Sequence, residues 1–233
     1  MPLYTADALV LRTYKLGEAD RIVVFLTKDR GKKRGVAKGA RRPRSRFMGA
    51  LEPLTEVRVA YFEKEQRELV GLNYAEMLRS PLSFAGLAPA GVMPASESAD
   101  GQRGDALGYV GYFAELLDEW AQEADADERL YRLGAGMLDA LGAGAPVEPL
   151  ARYFEYWLLR LQGLYPEARG TLSAGAVSFL AMSRTVPPGR VGDVPVERRV
   201  LDELQNTHRA LIAMHLEKTL KSDRVLRDLR RHA

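Results

Sequence analysis

The chain has 233 residues, and 34 lysines and arginines against 31 aspartates and glutamates leave a net charge of only +3 at pH 7. This length suits one large or two small domains, and a hydrophobic fraction of 46% is normal for a globular core. The absence of cysteine excludes disulfides, thiol catalysis and thiolate metal sites. No apolar run reaches the roughly eighteen residues of a membrane span, and no secretory signal is apparent, so we expect a cytoplasmic protein.

The N-terminal third of the chain predicts short β-strands joined by tight turns. Alternation with period two marks the first strand, and β-branched and aromatic residues mark the second. We place the five strands at residues 8–14, 21–27, 32–38, 51–62 and 69–77. Five short strands in so few residues are typical of a small closed barrel, and an OB-fold is the expected architecture.

Positive charge is concentrated in the third strand and the loop after it. Residues 27–46 hold ten basic side chains and one acid, Asp29, a charge of +9, so the rest of the chain carries −6 against the total of +3. Like charges at this density repel one another, and a polyanion is their natural counter-charge, although a solvated surface without a ligand is the alternative. We predict that DNA phosphates are bound by Lys32, Arg34, Lys38, Arg41, Arg42, Arg44 and Arg46.

Aromatic residues of the barrel are also candidates for binding bases, because single-strand-binding barrels stack bases on exposed rings. Most rings in so small a barrel are expected inside its core. Tyr14 and Phe47 are the candidates for exposed stacking residues.

Composition changes after the barrel. Residues 80–104 are rich in proline, alanine, glycine and serine and predict a linker between a barrel domain at residues 1–79 and a helical domain at residues 105–233. Helical periodicity starts at Asp105 and continues through helices predicted at residues 128–141 and 153–161.

The end of the chain predicts an irregular insert at residues 164–196, with one short helix near residues 177–182, and then a long helical tract at residues 197–231. The expected buried side of that tract is formed by Leu201, Leu204, His208, Leu211, Met214 and His215. A second basic stripe, for DNA or an acidic peptide, is formed by Lys218, Lys221, Arg224 and Arg227. Cations near the C-terminus of a helix also favour its macrodipole, which accounts for part of this charge.

No catalytic constellation is visible. The chain has three histidines, of which His208 and His215 lie two helical turns apart, and two imidazoles without cysteine do not make a zinc site. No complete phosphate-binding loop or nucleophile elbow occurs. We therefore expect neither an enzyme nor a metal or other cofactor.

Taken together, these segments resemble the RecO family of recombination mediators. The resemblance is most specific near the N-terminus, as in Gly-Glu-Ala-Asp-Arg at residues 17–21 and Ala-Lys-Gly-Ala-Arg-Arg at residues 37–42. It continues at residues 8–12, 26–27, 31–32, 45–47, 51–53, 112–117, 158–166 and 215–226. Many members carry four zinc cysteines in the region of residues 170–195, where this chain has none, so the resemblance implies a degenerate zinc module without metal.

The resemblance implies an α+β protein with an N-terminal OB-fold and a helical domain. It implies a nucleoid-associated DNA repair protein of the RecFOR pathway, which binds single- and double-stranded DNA and anneals complementary strands. The implied partners are RecR, the C-terminal tail of single-stranded-DNA-binding protein, and RecF, with RecA loaded as the outcome. The rival interpretation is an adaptor whose basic surface docks an acidic protein without binding DNA.

Overall fold

A computed structural model gives the structure of the protein and describes most of the chain. The described residues are 2–63, 68–84, 97–166, 172–218, 220–222 and 224–226, with the backbone alone for residues 97–105. The chain divides into two compact units, Met1–Ser83 with Val110–Leu138 and Phe84–Tyr109 with Asp139–Ala233. The domain boundaries expected near residues 79 and 105 stay predictions, because compactness does not show which segments fold independently.

The described structure includes five strands and five α-helices. The strands are β1 (Leu3–Leu16), β2 (Asp20–Thr27), β3 (Gly31–Ala37), β4 (Glu56–Phe62) and β5 (Val70–Arg79). The helices are α1 (Glu97–Trp120), α2 (Glu128–Gly142), α3 (Val147–Leu161), α4 (Ala174–Met182) and α5 (Arg198–Leu216), with short 3₁₀ helices at Pro81–Ser83 and Pro188–Asp193. Among the described helices, none is long and apolar enough to cross a bilayer.

The strands close into a barrel in the order β1-β2-β3-β5-β4. All neighbours are antiparallel except β3 and β5, which pair in parallel over three residues. Alternate side chains fill the interior, among them Val10, Phe25, Val59 and Tyr61. The barrel followed by helices confirms the predicted OB-fold and α+β class.

β1 is long enough to pair with two different strands. Its first half pairs with β4 and most of its length pairs with β2, and the register shifts at a bulge between Val10 and Arg12. The backbone N–H of Val10 donates to the Thr55 carbonyl at 2.9 Å, and its carbonyl accepts from Leu54 at 2.7 Å. A bulge bends the strand and increases its twist. β1 pairs with β4 only up to Leu9, whereas its pairing with β2 continues to Leu16.

The segment between β3 and β4, residues 38–55, closes one end of the barrel. Phe47, Ala50 and Leu51 belong to the barrel core, and Leu54 is fully buried. Phe47 is only 2% exposed, so its predicted role as an exposed stacking residue is wrong: the barrel needs an apolar plug where no strand covers its end. The fourth strand starts at Glu56 rather than near Leu51 for the same reason.

The turn between β2 and β3 packs closely against the backbone of Asp125, and a glycine substitution there tests how much this contact affects the stability of the barrel unit. Gly31 has φ of +67°, and a Cβ there would come within 3 Å of the Asp125 backbone, whereas Gly17 has φ of +57° and open space around it. Both Gly→Ala changes cost about 1–2 kcal/mol through the left-handed backbone. We expect Gly31→Ala to cost about 1–3 kcal/mol more from the forced contact, measured by urea denaturation. Equal losses for the two variants would contradict the contact.

Two helix boundaries differ from expectation. α1 begins at Glu97 instead of Asp105, because Pro94 is the last proline of the segment and nothing after it forbids a helix. α5 ends at Leu216, where Glu217 adopts a left-handed φ of 52° and donates its N–H to the Ala213 carbonyl. The single helical tract predicted through residue 231 is therefore wrong.

The early end of α5 also corrects its predicted buried side. Leu201, Leu204 and His208 are buried, as expected, but Met214 is 74% exposed and His215 is exposed too. The last turn of the helix lies beyond the core formed by α3.

The predicted insert contains α4, whose first turn is capped by the Ser173 side chain.

A buried polar network joins α3 to α5. The guanidinium of Arg152 donates from Nη2 to Glu155 Oε1 at 2.8 Å, and the other carboxylate oxygen lies 3.0 Å from His208 Nδ1. On the far side of the imidazole, Nε2 lies 3.2 Å from the hydroxyl of Tyr165. Arg152, Glu155 and His208 are all buried, so this network is a charged centre inside an apolar helical core.

Candidate nucleic-acid interface

The predicted phosphate-binding cations fall into two groups in the structure. Lys32 and Arg34 lie on β3 and point to its outer face, while the others follow the strand into the plug segment. This second group, called the loop cations below, consists of Lys38, Arg41, Arg42, Arg44 and Arg46. The two groups differ in whether a carboxylate already neutralises them.

Lys32 is held by the last turn of α1 and by the residues that follow it. Its side chain is 11% exposed, and Nζ donates to the Asp118 carbonyl at 2.6 Å and lies 3.4 Å from the carboxylate of the same residue. Its backbone also exchanges hydrogen bonds with Gln122 and Ala124, both at 3.1 Å. The ammonium group of Lys32 is therefore a largely buried structural contact and is not directed at a ligand in solvent.

Arg34 is intermediate between the two groups. Its side chain is 53% exposed, and its Nε lies 2.8 Å from Glu123 Oε1, which is equally exposed. Lys33, next to it in the run, is paired with Glu63 at 2.6 Å. The strand part of the basic run is thus neutralised by acids of the same compact unit, which a polyanion would have to displace.

Arg12 contacts two acids of α1, Glu115 and Asp118, and the second of these also holds Lys32. Its guanidinium lies 3.3 Å from Asp118 and 3.5 Å from Glu115. Burial lowers the pKa of Arg12, but its hydrogen bond with Tyr14 and the carboxylates of Asp118 and Glu115 more than offset this and raise the pKa overall. Arg12 is therefore a permanent counter-charge for these acids.

The loop cations are exposed, and most have no acid beside them. Among the residues that the structure describes, Lys38, Arg42, Arg44 and Arg46 have no carboxylate within ion-pair distance. Arg46 lies over the ring of Phe47, 5.1 Å from its centroid. Exposed guanidinium groups with unsatisfied donors are the groups that bind phosphate best.

The loop that carries these charges is anchored at its start and along its length. Arg41 donates from Nη1 to the carbonyls of Gly17 and Glu18, each at 2.9 Å, and its own N–H donates to Ala19 at 2.9 Å. The N–H of Gly39 donates to Asp20 Oδ1 at 2.8 Å. With the plug residues held in the core, the cations are presented on a preorganised scaffold, which reduces the entropy lost on binding.

Sequence reasoning missed the contribution of the β1–β2 hairpin to this end of the barrel. Lys15 pairs across the sheet with Arg21, and Arg21 pairs with Ala37, the residue before Lys38. Lys15 is exposed, while Arg21 lies 4.0 Å from Glu52. The signal was strand register, which places the end of β1 across β2 from the end of β3 and adds Lys15 to the candidate interface.

The second predicted stripe does not form one helical face. Lys218 follows the end of α5, and Lys221 and Arg224 lie in helical residues after that break, all three exposed. Arg227 lies outside the described residues. The spacing that suggested one stripe depended on a continuous helix, which Glu217 ends.

The residues present do not fit the zinc site found in many relatives of the predicted family. The chain has no cysteine, and both ring nitrogens of His208 already have partners. Within the described ranges, no three histidine, aspartate or glutamate side chains cluster as metal ligands.

Comparison with known proteins identifies the family. A model described as "Recombination protein O N terminal" matches residues 1–81, and one described as "Recombination protein O C terminal" matches residues 101–170. Curated relatives carry the name DNA repair protein RecO. The one from Bifidobacterium adolescentis is 40% identical over 78% of this chain and 68% of its own length.

Other relatives show how much of the family's length is shared. The relative from Koribacter versatilis is 39% identical over 71% of this chain and 61% of its own length. That from Pelotomaculum thermopropionicum is 28% identical over 95% of this chain and 93% of its own. For several relatives the match spans only about 60% of their length. Both halves of the family pattern are present, and the chain belongs to the RecO family.

Proposed function

We propose that this chain is a DNA repair protein that binds single- and double-stranded DNA and anneals complementary strands. The observation that carries the proposal is the set of loop cations, exposed and mostly unpaired on an anchored loop. A phosphate backbone supplies the missing counter-charge, and binding releases counterions, which favours association. Phosphates occur in both forms of DNA and carry no base code, so these contacts serve single strands and duplexes alike.

Annealing requires no bond chemistry, which agrees with a non-catalytic role. Two strands meet when their charge is neutralised and their bases stay free to pair. Cations that grip phosphates from one side meet both requirements, because they leave base edges uncovered.

The family suggests the partners. We propose that the protein acts in the cytoplasm at the nucleoid, where with RecR it helps to load RecA onto single strands coated with single-stranded-DNA-binding protein, and that RecF is a further partner. The acidic C-terminal tail of the coating protein is the proposed ligand of Lys218, Lys221, Arg224 and Arg227. Charge complementarity supports this assignment.

Fluorescence anisotropy with purified protein tests DNA binding, and annealing of coated strands tests the partner role. We expect binding to labelled single strands and duplexes, and faster annealing when the coating protein keeps its tail than when the tail is deleted. An adaptor that docks only an acidic protein would bind the tail-bearing coat but neither form of naked DNA. That result would reject the DNA interface and favour the rival function.

The pair between Arg34 and Glu123 leads to a specific prediction. Glu123→Gln removes the acid and frees Arg34 for a phosphate, so single-strand affinity should rise about two- to fivefold, and the slope of log K against log salt should steepen by about 0.7. Glu197→Gln is the matched control, because it removes the same charge from an exposed pair with Arg199. If both variants bind equally more tightly, the gain reflects net charge and Arg34 does not contact DNA.

A further inference from the structure

A row of partly exposed side chains crosses the outer face of three strands beside the loop cations. Tyr14 on β1 is paired in register with Ile22 on β2, and Ile22 is paired with Val36 on β3. Directly paired residues project to the same face with Cβ atoms about 4.5–5.5 Å apart in an antiparallel sheet. The three side chains therefore form one apolar row, with Tyr14 at its end.

Tyr14 is unlike the aromatic residues that build the barrel. Its side chain is 46% exposed, whereas the rings of Phe25 and Tyr61 are fully buried in the core. Ile22 and Val36 are half-buried, so the row is accessible along its length. Burial in the core accounts for rings such as Phe25 and Tyr61, but it does not account for Tyr14 or for Tyr74 on β5, which is 38% exposed. Of these two, Tyr14 belongs to the β1–β2 hairpin, whose turn is hydrogen-bonded to Arg41 of the loop cations.

The ring of Tyr14 is also held in place. Arg12 donates from Nη1 to the Tyr14 hydroxyl at 3.3 Å, and the same guanidinium is fixed by Asp118 and Glu115. A ring tethered at its hydroxyl loses less conformational entropy when a ligand packs on its face. The arrangement is therefore preorganised for a flat ligand.

The row lies next to the groups that would hold phosphates. Lys38 comes two residues after Val36 at the same end of the sheet, and Arg41 of the loop cations donates to the carbonyls of Gly17 and Glu18 in the turn that follows β1. Lys15 follows Tyr14 in sequence but projects to the opposite face, because it is paired with Arg21 and Arg21 is paired with Ala37 of the core. An apolar, aromatic surface beside a line of cations matches the two parts of a single-stranded nucleotide, whose base is flat and whose phosphate is charged. In a duplex the base faces are already stacked on one another and are not available.

We propose that Tyr14, supported by Ile22 and Val36, is a base-stacking platform that makes single-stranded DNA the preferred ligand of this interface. The inference rests on the proposed function, because the loop cations must hold the phosphates for a base to reach the ring. It adds a source of preference between single strands and duplexes, which phosphate contacts alone do not supply.

Affinities of three ligands separate stacking from charge: a single strand, an abasic single strand of the same length, and a duplex. Tyr14→Ala should weaken binding of the normal single strand by roughly fivefold or more, the usual effect of losing a stacked base, and leave the abasic strand and the duplex within about twofold. Tyr14→Phe keeps the ring and should keep single-strand affinity. Wild-type protein should itself bind the normal strand more tightly than the abasic one, a comparison that needs no variant.

The possible failures are distinguishable. If wild-type protein binds none of the three ligands, the proposed function fails and the platform fails with it. If wild-type protein binds DNA but does not distinguish normal from abasic strands, the platform alone is overturned. The same holds if Tyr14→Ala weakens all three ligands alike, or none of them, while its circular dichroism and thermal melting match the wild type.

Discussion

Replacement of Lys38, Arg42, Arg44 and Arg46 by alanine together is expected to lower the affinity for single-stranded DNA about 10²- to 10³-fold at 0.1 M salt. Each phosphate contact releases about 0.7 counterion from a single strand, which is worth roughly fivefold in affinity at this salt concentration. The four side chains are exposed and have no carboxylate partner among the described residues, so each one is available for a phosphate. Anisotropy titrations with a labelled oligonucleotide measure the loss.

A control with the same change in net charge is available elsewhere on the chain. Arg129, Arg132, Arg190 and Arg199 are exposed and lie outside the interface, and their joint replacement by alanine should cost less than about tenfold. The folding stability of the loop variant should stay within about 0.5 kcal/mol for each of Lys38, Arg42 and Arg44, because these side chains are exposed, and within about 1 kcal/mol for Arg46, which lies over the ring of Phe47. If both sets weaken binding equally, long-range charge acts alone and the loop is not the interface.

Removal of the Glu155 carboxylate should have the largest effect on stability in the helical core. Glu155→Ala leaves the buried guanidinium of Arg152 without its counter-charge, while Nε and Nη1 of that residue already have no hydrogen-bond partner within the described structure. Breaking a buried ion pair by removing one partner costs about 3–5 kcal/mol. His208 also loses the oxygen that faces Nδ1, which adds to the penalty.

Urea denaturation measures this effect against a control on the same helix. Glu148→Ala removes a half-buried carboxylate of α3 that lies 2.6 Å from the exposed Arg198, and it should cost about 1 kcal/mol or less. The double variant Glu155→Ala with Arg152→Met should recover part of the loss, because no charge is then left buried. A loss below about 1 kcal/mol for Glu155→Ala alone would show that the network does not hold α3 and α5 together.

The barrel was predictable because its determinants are local. Period-two alternation, turn glycines such as Gly17 and Gly31, and β-branched runs specify each strand without reference to the rest of the chain. Phe47 shows where this reasoning stops. Its position in a basic, glycine-punctuated loop suggested exposure, but the open end of a barrel needs an apolar plug, and that need appears only once the strands have closed.

The candidate interface was predictable in part, for a related reason. The basic run is visible in sequence, but the neutralisation of Lys32 depends on Asp118, 86 residues away, and that of Arg34 depends on Glu123. No local pattern reports such pairs. The break in α5 was equally hidden, because Glu217 adopts a left-handed conformation without the glycine that usually marks a helix end.

The ion pairs of Lys32 with Asp118 and of Arg34 with Glu123 shift the centre of the candidate interface from the third strand to the loop. Counting all seven predicted cations would overstate the number of phosphates that the protein can bind. The five loop cations are the appropriate count, since Lys32 is occupied by Asp118 and Arg34 by Glu123.

The salt dependence of single-strand binding by the unmodified protein tests this count most directly. Affinities measured by anisotropy between about 50 and 300 mM salt should give a slope of log K against log salt of about −3.5, the value for five phosphate contacts at roughly 0.7 counterion each. A slope near zero would contradict the account, because it would mean that the exposed cations of the loop do not bind the DNA backbone.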